Sequence, residues 1–164
     1  MKQKTLRVHA GEETIKRANA SGKIKNNLFI AGVGLIGSSL IEMVGNIGSI
    51  NIRGLINSKK MIIDSKDIDY KNWEADLDKS LDADFDSFID IASKTPNSIF
   101  VDLTASKKIS MKTSEILARG ISVVTANKIT NSMNQEYYDE IRNSMLIGGS
   151  QFRYETNVGA GLPI

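Results

Sequence analysis

The sequence predicts an α/β fold built on a doubly wound parallel sheet, and three observations carry that prediction. Apolar runs of strand length alternate with helical segments over residues 27–164. The first run, Leu28, Phe29 and Ile30, is continuous in the way of a strand buried on both faces. It leads directly into Gly32, Gly34 and Gly37, which fall in GxGxxG spacing and open an apolar helix.

Composition bounds the rest. With 164 residues, 41% hydrophobic and 24% charged, the chain is long enough for one good core and too short for two. A net charge of +2, with basic residues scattered, gives no case for a nucleic-acid partner. The absence of cysteine excludes a disulfide framework, thiolate metal sites and a cysteine nucleophile, and it fits a cytoplasmic location. No apolar run approaches the roughly 20 residues of a membrane span, and the N-terminus has charges without an apolar signal core. Residues 1–25 are polar and basic and read as a linker or flexible arm, with His9 a solvated tail histidine; residues 26–164 form the domain.

The elements follow in order. In the first turn Gly32 allows a sharp exit from the strand, Gly34 leaves room for a pyrophosphate, and Gly37 lets the helix lie close to the strand. Ile36, Leu40, Met43 and Val44 are expected on the packed face of that helix. A second strand spans residues 50–57. A carboxylate near its end would bind the ribose of NAD, but Asn57, Ser58, Lys59 and Lys60 stand there instead. Two ammonium groups and a hydroxyl favour the 2′-phosphate of NADP, with NAD the alternative; two solvated loop lysines are the structural reading.

Residues 61–63 form an apolar patch, followed by acidic helical segments in which Tyr70 and Trp73 serve packing and residues 76–90 present a solvated acidic face. A buried strand over residues 99–103 ends in Thr104, Ala105 and Ser106, and a helix closed by Gly120 follows. The strand over residues 121–124 delivers Thr125, Ala126, Asn127 and Lys128 at its carboxyl end, where ligands bind in an open α/β sheet. A helix capped by Asn131 or Ser132 comes next, then a strand and a glycine-rich apolar turn.

The motifs AGVGLIGSSL, NSKKM, VDLTAS, GISVVTANK and YETNVGAGLPI stand in an order and spacing that resemble the nucleotide-binding region of homoserine dehydrogenase, most closely the form fused behind aspartokinase. The resemblance covers residues 27–164 and implies a Rossmann-like NAD(P)-binding domain. It implies a parent enzyme, a homo-oligomer, that reduces L-aspartate 4-semialdehyde to L-homoserine on the path to threonine, methionine and isoleucine. It further implies that amides around Val33, Leu35 and Ile36 hold the pyrophosphate and that Thr104, Ala105 and Ser106 lie along the nicotinamide ribose. Lys128 becomes the catalytic residue, reaching nicotinamide and substrate.

Glu155, with the carbonyls of Val158, Ala160 and Leu162, matches the place where the family holds a monovalent cation, sodium by expectation. A strand-end carboxylate beside a simple crossover turn is the alternative there. The chain stops at Ile164, where the family's substrate domain would begin, so the expectation is a cofactor half that is inactive alone. Two other classes stay open: a nucleotide-sensing module without chemistry, and another amino-acid dehydrogenase or a dihydrodipicolinate-reductase-like enzyme.

Overall fold

The computed structural model describes residues 25–154. The arm, except Lys25, and the residues expected to hold a cation, Glu155, Val158, Ala160 and Leu162, therefore lie outside the described residues.

The chain begins with β1 (Asn26–Ala31), α1 (Leu35–Val44) and β2 (Ile50–Ile56). Then come β3 (Lys60–Ile63), α2 (Trp73–Asp78), β4 (Leu81–Asp82) and α3 (Phe85–Lys94). The second half runs β5 (Ser98–Asp102), α4 (Lys107–Ser110), α5 (Thr113–Ala118), β6 (Ser122–Thr125), a 3-10 turn (Thr130–Ser132), α6 (Gln135–Gly148) and β7 (Phe152–Arg153). The strands form one sheet in the order β4-β3-β2-β1-β5-β6-β7. The five strands from β2 to β7 run parallel, as expected of a doubly wound sheet.

The two strands at one end of the sheet differ from the expectation. β3 and β4 are antiparallel, so the sheet is mixed. The reason lies in residues 57–60. The Asn57 side-chain oxygen accepts from the amides of Lys59 (2.8 Å) and Lys60 (2.7 Å), closing a tight turn. A parallel connection needs about a dozen residues or more; this turn is too short for one, and the apolar patch at residues 61–63 folds back as a hairpin.

β1 is the central strand, and its alternation divides the core. Phe29 and Ala31 face one cluster with Phe88, Phe100, Leu117 and Ile141, whereas Leu28 and Ile30 face another with Ile41, Leu55, Trp73 and Leu77. Helices α3, α5 and α6 thus cover one face and α1 and α2 the other. Trp73 is buried and Tyr70 packs beside it, in keeping with a packing role for both.

Three helices differ in detail from the sequence reading. α1 buries Gly37, Ile41 and Val44, while Ile36 and Met43 are 61% and 69% exposed. At Gly37 α1 lies against the Gly32 carbonyl of the preceding turn, and the packed stripe is the one that continues from Gly37 by steps of three and four. The helix after Ser106 is broken at Met111 and Lys112 into α4 and α5. α6 is capped by Asn134, whose side chain accepts from the Tyr137 amide at 3.1 Å; Asn131 and Ser132 sit in the preceding 3-10 turn.

Candidate functional site

The sheet reverses its winding between β1 and β5: α1 carries the chain from β1 to β2 on one side, and α3 brings it back to β5 on the other. The crevice outside the carboxyl ends of such strands is where open α/β sheets bind ligands. A cleft of about 920 Å³ opens there, between the glycine turn, the end of β2, the start of α3 and the loop from β5 into α4.

The three glycines of the turn meet different surroundings. Gly32 has a φ of +92°, and a Cβ there would lie 2.9 Å from the Leu103 carbonyl group. A Cβ on Gly37 would collide with the Gly32 carbonyl oxygen. Gly34, in contrast, faces open space within 4 Å and lines the cleft with Gly32 and Val33. Two glycines are required by protein packing and the third leaves a space the protein does not fill. No side chain caps α1 and its first turn carries no acid, so its leading amides are available to an anion. Leu35 and Ile36 contribute only backbone to that turn, since their side chains are exposed.

At the end of β2, Asn57, Ser58 and Lys59 line the cleft. Lys60 is not among the residues lining it. Its ammonium lies 3.0 Å from Asp82 Oδ1 and donates to the Ser80 carbonyl at 3.2 Å, because the hairpin turns it onto β4. Across the cleft stand Lys108, Ile109 and Lys112, which sequence reasoning missed, along with Asp84, Phe85 and Asp86 from the run read as a solvated face. The only sequence signal for the lysines was their four-residue spacing after the Ser106 cap.

Charge around the rim is partly spoken for. Asp84 caps α3 by accepting from the Ser87 amide (3.1 Å) and hydroxyl (2.6 Å), and these bonds hold its carboxyl below the usual range. Lys112 pairs with Glu115 (3.0 Å) and Asp86 (3.5 Å), and the bond to Glu115, first among the causes, raises its pKa. Among the described residues Lys59 and Lys108 have no acidic partner, leaving two cations facing the cleft.

Thr104, Ala105 and Ser106 line the cleft after β5, beside the glycine turn. Beneath them lies Asp102, only 2% exposed, which sequence reasoning did not single out. Asp102 Oδ1 accepts from the Thr104 amide (2.9 Å) and hydroxyl (2.7 Å), and Oδ2 accepts from Asn127 Nδ2 at 3.2 Å. Burial raises its pKa, opposed by those donors. Lys128 is exposed at the carboxyl end of β6 and is not among the residues lining the cleft. Among the described residues no group of three His, Cys, Asp or Glu is placed to hold a metal ion. No described helix is long and apolar enough to cross a membrane.

A mostly parallel sheet with helices on both faces, a glycine turn at the switch point and an uncapped helix above it define a dinucleotide-binding α/β domain of the Rossmann type. The chain belongs to the homoserine dehydrogenase family: the family model for the homoserine dehydrogenase NAD-binding domain matches residues 32–155. It is 34% identical over 151 residues to a bifunctional aspartokinase/homoserine dehydrogenase of Haemophilus influenzae, covering 84% of this chain and 18% of that protein. A protein of the same name from Buchnera aphidicola is 35% identical over 150 residues, again 84% of this chain and 18% of the relative. Among solved structures, a hyperthermophilic archaeal homoserine dehydrogenase mutant in complex with NADPH superposes with a TM-score of 0.69 at 25% identity, over 85% of this chain and 46% of that one. The chain thus spans under a fifth of the length of these bifunctional relatives.

Proposed function

We propose that this chain is the cofactor-binding half of an enzyme that reduces L-aspartate 4-semialdehyde to L-homoserine. The observation that carries the reading is the contrast at the glycine turn. Gly32 and Gly37 are closed by neighbouring backbone, while Gly34 opens on the cleft below free helix amides, a shape that suits a pyrophosphate. The names of the relatives supply the reaction class.

When bound, NAD(P)H supplies the hydride. The residues of this chain bind and orient it. Amides of Val33, Leu35 and Ile36 hold the pyrophosphate, and Thr104, Ala105 and Ser106 support the nicotinamide ribose. Lys128 acts as the catalytic residue, its ammonium stabilising the negative charge that develops on the aldehyde oxygen. The substrate itself is gripped by groups beyond this chain, so the chain alone turns over little or no aldehyde.

NADPH is the preferred cofactor. Lys59, Ser58 and Asn57 line the end of β2, Lys108 adds a second cation, and the two carboxylates of the cleft are engaged, Asp84 in the α3 cap and Asp86 with Lys112. The family's cation site, Glu155 with the carbonyls of Val158, Ala160 and Leu162, follows directly after β7 in sequence. Residues 1–25 are the link from a kinase domain and residues 26–164 the nucleotide-binding domain. The parent is a cytoplasmic homo-oligomer serving threonine, methionine and isoleucine synthesis.

Fluorescence titration with NADPH and NADH tests the cofactor assignment. NADPH should bind more tightly, and Lys59→Ala should remove most of the difference, about tenfold for one lost charge-assisted contact. Tighter NADH binding, or an unchanged preference in the variant, would contradict it. Joined to a cognate substrate domain the chain should reduce the aldehyde, and Lys128→Ala should lower kcat by about a hundredfold; an unchanged rate would remove the role of Lys128.

A further inference from the structure

Asp102 is a buried carboxylate with no part in the reading above. Burying a carboxylate is costly unless donors surround it, and among the described residues the Asp102 side chain accepts from three donors: the Thr104 amide, the Thr104 hydroxyl and the Asn127 amide nitrogen. Thr104 belongs to the loop after β5 and Asn127 to the loop after β6. Thr104 Oγ1 accepts in turn from the Ser106 amide at 3.1 Å, so the turn over residues 104–106 is built on Asp102 Oδ1. On the other side, Asn127 donates to the Ser106 carbonyl at 3.3 Å as well as to Asp102 Oδ2.

Asn127 also fixes the backbone on both sides of Lys128. Its own amide donates to Thr125 Oγ1 at 2.9 Å, and its side-chain oxygen accepts from the Ile129 amide at 3.1 Å. Thr125 Oγ1 donates to the Asp102 carbonyl at 3.2 Å, and the Ala126 amide donates to the same carbonyl at 3.0 Å. The loop after β5 and the loop after β6 are therefore tied together through one residue. The glycine turn rests on the same place, since the Leu103 amide donates to the Ala31 carbonyl at 2.9 Å.

We infer that Asp102 is a positioning residue, holding the loop over residues 104–106 and the backbone around Lys128 in register so that together they receive the nicotinamide half of the dinucleotide. The inference rests on the dinucleotide reading of the cleft. It makes a demand that a general contribution to folding does not. Loss of the carboxylate must weaken binding of the nicotinamide half and leave the adenosine half, held by the distant turn over residues 57–59, unaffected.

Two ligands separate these halves: NADPH, and 2′,5′-ADP, which lacks the nicotinamide mononucleotide half. Asp102→Asn keeps an acceptor for Thr104 but sets its amide nitrogen against the Asn127 amide nitrogen, donor against donor, and Asn127→Ala removes the bridge while keeping the Asp102 turn. For both variants of the 164-residue chain, NADPH affinity should fall by about tenfold and 2′,5′-ADP affinity should stay within about twofold of the parent chain. The exchanged pair Asp102→Asn with Asn127→Asp restores one hydrogen bond with reversed polarity and should recover part of the NADPH affinity relative to Asp102→Asn. If Asp102→Asn does not fold, Asn127→Ala decides the matter alone. Equal weakening of both ligands, or of neither, in a folded variant overturns the inference while the dinucleotide reading stands. Failure of the parent chain to bind NADPH overturns both.

Discussion

At the scale of single residues, the glycine turn makes opposite predictions for neighbouring positions. Gly34→Ala adds a methyl group to open space at a φ of −76°, which any residue adopts, so the melting temperature should hardly move. That same methyl group occupies the space assigned to the pyrophosphate, so NADPH affinity should fall by about tenfold or more. Gly37→Ala drives a methyl group into the Gly32 carbonyl oxygen and should cost about 1–3 kcal/mol of stability, read by chemical denaturation. Equal stability of the two variants would contradict this division of roles. The GxGxxG spacing was legible because all three glycines fall within one short strand-to-helix turn. Asp102 and Lys108 were not, because their significance depends on partners brought together by the sheet; the bond from Asp102 to Asn127 spans 25 residues and no local pattern announces it.

At the scale of elements, the existence of the parallel strands was readable from apolar runs, but the hairpin was not. Asn57 is a turn residue that also stood where ribose recognition was expected, and the binding reading hid its turn chemistry. For α1 the periodicity allowed two adjacent stripes, and contact at Gly37 chose between them. Caps offer direct tests. Asn134→Ala removes the bond to the Tyr137 amide and should cost about 1 kcal/mol, measured by denaturant titration. Asp84 caps α3 as a carboxylate whose pKa is lowered in the fold. A lowered folded pKa favours the native state above the unfolded value of about 4, and that advantage is lost as pH falls through the folded value. Asp84→Asn retains a capping oxygen without the charge, so its stability should fall less steeply below about pH 4 than that of the parent chain.

At the scale of the whole molecule, the sheet order is what unites the site. Because β1 and β5 are neighbours yet connect to opposite sides, their carboxyl ends leave a crevice that no crossover covers. Three stretches far apart in sequence meet there: residues 32–34, 57–59 and 104–106. The central claim is that these stretches hold one nicotinamide dinucleotide, and backbone amide chemical shifts recorded during an NADPH titration test it most directly. The account predicts saturable shifts concentrated at residues 32–37, 57–59 and 104–106, with little change along the groove formed by α6 and β7. Shifts centred on that groove, or no shifts at saturating NADPH in a folded chain, would contradict it.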